Sequence, residues 1–408
     1  MPRFGSPSAG FTTVAAASAV AGALGYAITI VAARMFGVEY GAFGVFWSAL
    51  YFGVGALAGA QQEFARMTRS LDPNPTALPA SVGAERIPRA IGAASVASVL
   101  VSAVSTVALA FTALRGEPFE HAVAIGVGFA FFGLYAVLLG MQYGARRWRT
   151  VAIATVADPL LRIALITVVV EAGGALTGAI WAAVAPFPVL AAVLLAVSLR
   201  DRSLILDKAA IPAARAAAVV VAGGVASSFI INGVPMLFAL VAPGEDPAVV
   251  SRYVFAFILI RAPLVVGALA LQSFLIVHLR DHSRPNRMIG MLVLAIVAVT
   301  GLGALLLAVV GEPIVRAVGG AIGVPTTLVL VGIAVASGAT SALIVVGCWA
   351  LARERRRFYA AGWWAAALSL IILAAVLPGD VETRITVASA IAPVVGVVAV
   401  LAGLRARA

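Results

Sequence analysis

The sequence is poor in charge, has one lysine (Lys208) and one cysteine, and contains no long polar stretch. Charged residues make up 11% of the 408 residues, whereas 62% are hydrophobic. A soluble domain carries about 25% charged residues, and no soluble fold of this length could bury so much apolar surface. The composition therefore predicts a membrane protein with many spanning segments.

Residue types and motifs that are rare or absent in the sequence exclude several kinds of functional site. Cys348 is the only cysteine, so an internal disulfide and a thiolate metal site cannot form. His278 and His282 are four residues apart, but they lie at an interface beside Arg280 and Asp281, without the spacing of metal ligands. No segment matches the nucleotide-binding pattern G-x-x-x-x-G-K-[ST], and no Ser/His/Asp set or paired acidic site stands out in an outer loop. Two acidic pairs lie in short outer turns before spans, Glu245-Asp246 and Asp380 with Glu382, and we interpret both as solvated turns. We therefore predict no catalytic residue, no metal and no cofactor.

Apolar blocks of about 20 residues or more, separated by short charged connections, are typical of transmembrane helices. The first block runs for about 24 residues from Gly10, too long for the apolar core of a signal peptide, so we interpret it as a span. We expect an all-α membrane protein with about 12 transmembrane helices. The predicted spans lie near residues 10–33, 41–64, 88–114, 120–142, 150–170, 176–199, 214–241, 250–278, 287–310, 323–350, 358–377 and 383–404.

The positions of the basic residues predict the orientation. Of the 28 cations, 21 lie in one set of connections and five (Arg34, Arg115, Arg252, Arg316 and Arg384) in the alternate set, while Arg162 and Arg261 fall inside spans. Cations concentrate in cytoplasmic loops, so both termini are expected on the cytoplasmic side of the cytoplasmic membrane. The net charge of +11 is then explained by topology, and no nucleic-acid partner is expected.

Short matches recur at an offset of 207 residues, close to half the length of the chain. The matched segments are Ala145–Arg149 with Ala352–Arg356, Gly140 with Gly347, and Ala185-Pro186 with Ala392-Pro393. Six spans are an even number, so both halves enter the membrane from the same side. We predict two six-helix lobes related by a parallel repeat, an N-lobe of residues 1–207 and a C-lobe of residues 208–408.

Arg261 is the first candidate for substrate binding, since charges inside spans are costly and mark functional sites. It lies about 11 residues into the eighth predicted span, and Pro263 follows, which predicts a kink there. One interpretation is an arginine that binds a phosphate in a water-filled cavity. The other is an arginine paired with a structural carboxylate. No carboxylate is predicted at that depth on neighbouring spans, which favours anion binding.

Asp158 and Arg162 lie one helical turn apart in the fifth predicted span, and Pro159 lies between them. The spacing of four residues allows the two side chains to pair on one face. They form either a structural salt bridge or a functional pair, in which Arg162 binds a substrate anion and Asp158 couples transport to a proton or cation. The sequence leaves both interpretations open.

Polar residues at the ends of two spans are further candidates. Glu63 and Arg66 close the second span at its cytoplasmic end, as part of an inner gate or as an interfacial polar cap. Arg34 ends the first span on the outer side, where it serves as a substrate-binding outer gate or as an ion-pair partner of nearby Glu39.

The seventh span has a polar outer half that contains Ser227, Ser228, Asn232 and Pro235. Such a segment is typical of a helix that bends or lines a cavity, and Asn232 is a candidate for substrate binding. The alternative is that these side chains form hydrogen bonds within the helix bundle.

Several short motifs resemble polysaccharide flippases of the multidrug/oligosaccharidyl-lipid/polysaccharide (MOP) superfamily. The similar segments are Arg34-Met35-Phe36-Gly37 with Tyr40, Gly41 and Phe43; Leu139-Gly140-Met141-Gln142; Asp158-Pro159-Leu160-Leu161-Arg162; and Tyr253 with Arg261-Ala262-Pro263-Leu264. The resemblance covers the whole chain in topology, and its motifs are short.

The resemblance implies a V-shaped pair of six-helix lobes that open alternately to each side of the membrane. The typical substrate of these flippases is a polyprenyl-diphosphate-linked saccharide, which they move from the inner to the outer leaflet. The resemblance implies that Arg261 and Arg162 bind the diphosphate. The implied partners are this lipid-linked saccharide, membrane lipids, and the glycosyltransferases or polymerase of the same pathway.

The sequence departs from drug-exporting relatives, which commonly carry an acidic residue on the first or seventh span. Both predicted spans lack Asp and Glu within the membrane. This counts against a multidrug or metabolite exporter and leaves the energy source open. A polyprenyl-dependent glycosyltransferase is the third alternative, although its usual acidic pair and large outer domain are not visible.

Overall fold

The computed structural model describes residues 7–70, 86–200, 204–206, 210–281 and 285–405, and nearly all of them are helical. The helices of the first half are α1 (Pro7–Phe36), α2 (Tyr40–Met67), α3 (Arg86–Phe111), α4 (Phe119–Gly144), α5 (Trp148–Glu171), α6 (Leu176–Val184) and α7 (Pro186–Arg200). Those of the second half are α8 (Ala210–Asn232), α9 (Val234–Val241), α10 (Pro247–Asp281), α11 (Pro285–Gly319), α12 (Thr327–Ala352), α13 (Arg356–Val376) and α14 (Val381–Arg405). The prediction of an all-α membrane fold is confirmed.

Ten segments of the described chain are long and apolar enough to cross a membrane. The first of them, Thr12–Met67, has 56 residues and contains α1, the 3-10 turn Gly37–Glu39 and α2. At about 1.5 Å per residue, it is far longer than a hydrocarbon core of about 30 Å, so it accounts for two crossings. The pair α8 and α9 together accounts for one more, in a span that is broken by a 77° bend. By length and composition, the described residues therefore contain ten candidate spans, or eleven if this bent pair is one span, and the first of the ten is long enough to cross twice.

Two predicted spans are interrupted. The sixth consists of α6 and α7, which meet at Ala185, and the seventh consists of α8 and α9, which meet at Gly233. Proline follows each junction, as Pro186 or Pro235. Proline has no N–H to donate to the residue four positions earlier, so the helical ladder loses a hydrogen bond there. The bend expected in the seventh span is confirmed, whereas the interruption of the sixth was not expected.

The chain divides into two compact units. The first unit contains residues Met1–Ile28 and Leu50–Val225, and the second contains Thr29–Ala49 and Ala226–Ala408. The end of α1, the 3-10 turn and the start of α2 therefore belong to the second unit, although they lie early in the sequence. The lobe boundary after residue 207 stays a prediction.

Corresponding turns in the two units support an internal repeat. Helices α4 and α12 both have 26 residues, and their first and last residues differ by 208 positions. After each helix, one residue other than glycine has a positive φ, Arg146 at 57° and Glu354 at 60°. Matching hydrogen bonds close each turn. For example, the Arg147 N–H donates to the Gln142 carbonyl, and the Arg355 N–H donates to the Ala350 carbonyl. At this turn the structural offset is 208, one more than the offset of the sequence matches.

Each unit is built around one buried helix. Helix α4 packs against α3 and α7 in the first unit, and α12 packs against α11 and α14 in the second. A Cβ atom at Gly140 of α4 would collide with the Gln61 carbonyl of α2, so glycine permits the two helices to approach closely. Helices α3 and α11 expose many large apolar side chains, which is the surface that a lipid-facing helix needs.

A short antiparallel strand pair joins two connections of the first unit. Strand β1 (Thr68–Ser70) follows α2, and strand β2 (Leu204–Leu206) follows α7, with Arg69 opposite Ile205. No strand was expected from the sequence, because three residues are too few for a recognisable pattern of alternation.

Candidate anion-binding site

The break between α8 and α9 is stabilised by a serine from α2. The Ser48 hydroxyl donates to the Asn232 carbonyl, and it accepts a hydrogen bond of 3.2 Å from the Met236 N–H. Pro235 cannot supply an N–H at this point, so a side chain takes over part of the hydrogen bonding that the broken helix has lost. Ser48 is buried, and all of these residues belong to the second unit.

Arg261 of α10 reaches the same break from another side. Its Nη2 donates to the Ile230 carbonyl, at 2.5 Å, in the last turn of α8. The same nitrogen lies 3.2 Å from the Thr340 hydroxyl oxygen of α12. The Arg261 side chain is almost completely buried, and its Nε has no hydrogen-bond partner among the described residues. The guanidinium therefore keeps donor capacity that no described residue uses.

An aromatic ladder on α10 supports Arg261. The guanidinium carbon lies 4.9 Å from the centroid of the Phe257 ring, which stacks in turn on Tyr253. Phe238 of α9 packs on Tyr253 with a centroid separation of 4.8 Å. The Phe257 ring attracts the cation through its face, and none of the three rings carries an opposite charge. Within the described residues, no carboxylate forms an ion pair with Arg261, as the sequence had led us to expect.

Arg162 occupies a comparable place in the first unit but has a carboxylate beside it. Its Nη2 donates to Asp158 Oδ1 at 2.6 Å, so the pairing predicted from the spacing of four residues is confirmed. Its Nη1 donates to the Ala183 carbonyl at the end of α6, next to the break at Ala185. The guanidinium lies 4.6 Å from the Phe187 centroid, and the residue is completely buried.

The remaining predicted binding residues have partners of their own. Asn232 is partly buried, and its side-chain amide lies 3.4 Å from the Ser228 hydroxyl. Arg34 does not pair with Glu39; it donates instead to the Val318 carbonyl at 3.1 Å and to the Ala317 carbonyl at 2.9 Å. Those carbonyls lie in the last turn of α11, where a cation is favourable. Arg34 therefore caps a helix, and its role in substrate binding stays a prediction.

Glu63 and Arg66 form an ion pair at the end of α2. Arg66 Nε donates to Glu63 Oε2 at 2.9 Å, and a second hydrogen bond joins Nη2 to Oε1. The Glu63 carboxylate is buried, whereas the Arg66 side chain is exposed. This geometry fits a polar cap as well as a gate, so a gating role for this pair stays a prediction.

Another buried carboxylate, in the second unit, was not identified from the sequence. Glu382 of α14 pairs with Arg252 of α10 through two hydrogen bonds, at 2.8 and 3.0 Å. The sequence interpretation assigned Glu382 to a solvated turn, because it is close to Asp380 before the last span. The structure corrects this assignment, since Glu382 is buried. Arg252 and Glu382 are 130 positions apart, and no local pattern connects them.

No group of three or more potential metal ligands occurs in the part of the chain that the structure describes. His282 lies outside the described residues, as does the side chain of His278. The prediction that this histidine pair holds no metal is therefore not tested.

Comparisons with known proteins identify relatives across the whole chain, although no protein-family model matches it. The uncharacterized protein Rv3630 of Mycobacterium tuberculosis is 31% identical over 392 residues, which cover 94% of this chain and 89% of the relative. The uncharacterized protein Rv1510 of the same species is 30% identical over 400 residues, which cover 97% of this chain and 91% of the relative. The chain belongs to the family of these two proteins.

Solved structures establish the fold. A multidrug resistance MATE family transporter of the MOP superfamily, in an inward-facing conformation, matches with a TM-score of 0.68 at 15% identity, over 93% of this chain and 94% of the transporter. The lipid II flippase MurJ, in an inward closed conformation, matches with a TM-score of 0.67 at 11% identity, over 95% and 87%. The protein therefore has the fold of MOP superfamily transporters, and these neighbours are transporters and not enzymes.

Proposed function

We propose that the protein is a flippase that moves a polyprenyl-(di)phosphate-linked saccharide from the inner to the outer leaflet of the cytoplasmic membrane by alternating access. Both termini lie in the cytoplasm in this proposal, as the distribution of the cations favours. The partners are the lipid-linked saccharide, membrane lipids, and the glycosyltransferases or polymerase of the same pathway.

The observation that carries the proposal is the state of Arg261. A buried cation without a carboxylate is unfavourable unless an anion joins it, because removing a charge from water costs several kcal/mol. Phosphate, like carboxylate, matches the geometry of a guanidinium and binds it through charge-assisted hydrogen bonds. Arg261 retains an unpartnered Nε, and the aromatic rings beside it do not neutralise it. An anionic head group supplies the missing charge.

The lipid-linked saccharide follows from two further arguments. The motifs around Arg34, Asp158 and Arg261 resemble polysaccharide flippases, and the solved lipid II flippase has the same fold. A saccharide on a polyprenyl phosphate combines an anion with a lipid tail, which suits an anion-binding group inside a membrane-embedded bundle.

The test is to follow the lipid-linked saccharide by leaflet in a strain without the gene. We expect the saccharide to accumulate in the inner leaflet, and the wild-type protein to restore its appearance in the outer leaflet. Arg261→Ala is expected to abolish this restoration. Arg316→Ala is the matched control, since Arg316 is exposed and pairs with Glu312 at the surface, where an ion pair contributes little.

Full restoration by Arg261→Ala would overturn the assignment of Arg261. A multidrug or metabolite exporter is the competing function, because a MATE transporter shares the fold. Normal leaflet distribution in the deletion strain, together with resistance to cationic compounds on overexpression, would favour that function. The absence of Asp and Glu from α1, α8 and α9 argues against it.

A further inference from the structure

The hydrogen bonds of Arg261 limit how it can bind a phosphate. A guanidinium has five N–H donors, and it binds phosphate most strongly through two parallel bonds from neighbouring nitrogens. The two edges that allow this are Nε with Nη2 and Nη1 with Nη2. Both edges contain Nη2, which already donates to the Ile230 carbonyl and to the Thr340 hydroxyl. A bidentate phosphate therefore requires Nη2 to release one of these partners.

The Ile230 carbonyl is the partner that can be replaced. It lies two residues before the end of α8, and in an unbroken helix it would accept a hydrogen bond from the Val234 N–H, four residues later. Pro235 removes only the donor for the Ile231 carbonyl. The Val234 N–H is therefore still available to replace Arg261 as the partner of the Ile230 carbonyl. The Thr340 hydroxyl also donates to the Ala336 carbonyl of its own helix, which fixes its orientation.

We propose that the phosphate of the substrate replaces the Ile230 carbonyl as a partner of Arg261, while Thr340 continues to hold the guanidinium. The released carbonyl then accepts a hydrogen bond from the Val234 N–H, and the bend between α8 and α9 straightens. Thr340 is in this account a positioning residue for anion binding. This inference rests on the proposed function, because the substrate must present a phosphate to Arg261.

Ser48 opposes this movement. Its hydroxyl bridges the Asn232 carbonyl and the Met236 N–H, which lie on opposite sides of the break. Straightening the helix separates these two groups from Ser48. Ser48 and Arg261 therefore stabilise the bend together, and a bound anion removes the contribution of Arg261. Anion binding and the bend between α8 and α9 are coupled through one atom, Arg261 Nη2.

The experiment measures the position of α9 against α12, both in the second unit. Spin labels on Leu240→Cys and Val335→Cys, two exposed positions, are introduced into a Cys348→Ala background. Inorganic diphosphate is the probe, and double electron–electron resonance gives the distance between the labels. We expect diphosphate to shift this distance in the otherwise unmodified protein and to cause no shift in Arg261→Met.

Thr340 variants test the positioning role. Thr340→Val keeps the shape of the side chain but removes the hydroxyl, and it is expected to need about tenfold more diphosphate for half of the shift. Thr340→Ser retains the hydroxyl and is expected to respond as the wild type does. A structural contribution to stability alone would not produce this difference in concentration dependence.

Two results would overturn the inference. The first is diphosphate binding, measured by calorimetry, without any change in the distance between the labels. The second is an unchanged diphosphate requirement in Thr340→Val. Neither result touches the proposed function, which fails separately if the deletion strain shows a normal leaflet distribution of the saccharide.

Discussion

Among the described residues, each unit contains one buried arginine that donates a hydrogen bond to a main-chain carbonyl beside a proline-containing helix break, but only one of the two arginines pairs with a carboxylate. Arg162 in the first unit pairs with Asp158 at 2.6 Å. Arg261 in the second unit is surrounded by carbonyl, hydroxyl and aromatic groups. The first arginine is internally neutralised, which favours a structural role. The second has no carboxylate partner among the described residues, which favours a role in anion binding.

The largest effect is expected where the neutralised arginine loses its partner. Asp158→Ala leaves Arg162 buried without a carboxylate, and we expect the free energy of unfolding to fall by about 3 kcal/mol. Thermal unfolding in detergent measures the change. The double variant Asp158→Ala/Arg162→Met is the control, because replacing a buried pair by apolar groups is often nearly neutral. If the folded double variant loses translocation, the pair is functional, and the contrast between the two arginines disappears.

Ser48→Ala removes a hydroxyl that bridges the break in the second unit. We expect a loss of about 1 kcal/mol in stability and faster hydrogen exchange in residues 230–238, since two main-chain groups lose their partner. Ser369→Ala is the matched control, because the Ser369 hydroxyl donates only to carbonyls of its own helix. Equal exchange in both variants would show that Ser48 does not hold the bend.

Arg261→Met is expected to change stability by less than about 1 kcal/mol. The Ile230 carbonyl and the Thr340 hydroxyl each lose a hydrogen bond, while the removal of an uncompensated buried charge offsets that loss. The same thermal measurement as for Asp158→Ala gives the comparison. A destabilisation as large as that of Asp158→Ala would make Arg261 a structural residue.

The smallest effect concerns the N-terminal ends of α14 and α6. Helix α14 is capped by Asp380, whose Oδ2 accepts a hydrogen bond of 3.0 Å from the Thr383 N–H, whereas α6 follows Ala175 and has no side-chain cap. The hydrogen bond from the Thr383 N–H lowers the pKa of Asp380. A lowered pKa in the folded state gives stability that is present above the ordinary pKa, about 3.9, and is lost as the pH falls through the folded value.

We therefore expect a small loss of protection from hydrogen exchange at the start of α14 below about pH 4. At the start of α6 we expect no such loss from the N-cap, because Ala175 does not titrate. Asp380→Asn serves as the control and is expected to remove this dependence on pH, because asparagine caps the helix without titrating. A dependence on acid that persists in Asp380→Asn would assign it to another group.

Local patterns in the sequence predicted much of the fold. Long apolar blocks indicated the spans, since each must cover the bilayer, and the spacing of Asp158 and Arg162 predicted their pair because four residues make one helical turn. Pro235 with its polar neighbours indicated the bend in the seventh span. Arg261 was identified because a charge within an apolar span is rare.

Contacts between distant parts of the chain could not be predicted. Ser48 reaches Asn232 across 184 positions, and Thr340 reaches Arg261 across 79. Serine and threonine are ordinary components of transmembrane helices, so neither residue stands out in its own segment. The capping role of Arg34 was missed for the same reason, because its acceptors, the Ala317 and Val318 carbonyls, carry no signal in the side-chain sequence.

If Arg261 binds the substrate because no described carboxylate neutralises it, a carboxylate introduced beside it by Thr340→Asp should abolish transport. The substitution places a carboxylate where the Thr340 hydroxyl now contacts Arg261, and so gives the second unit the arrangement that Arg162 has. Thr340→Asn is the neutral control of the same shape. In the leaflet-resolved assay, we predict that Thr340→Asp folds but fails to translocate the lipid-linked saccharide, while Thr340→Asn retains activity. Full translocation by Thr340→Asp would show that transport does not need an arginine without a carboxylate partner at this position.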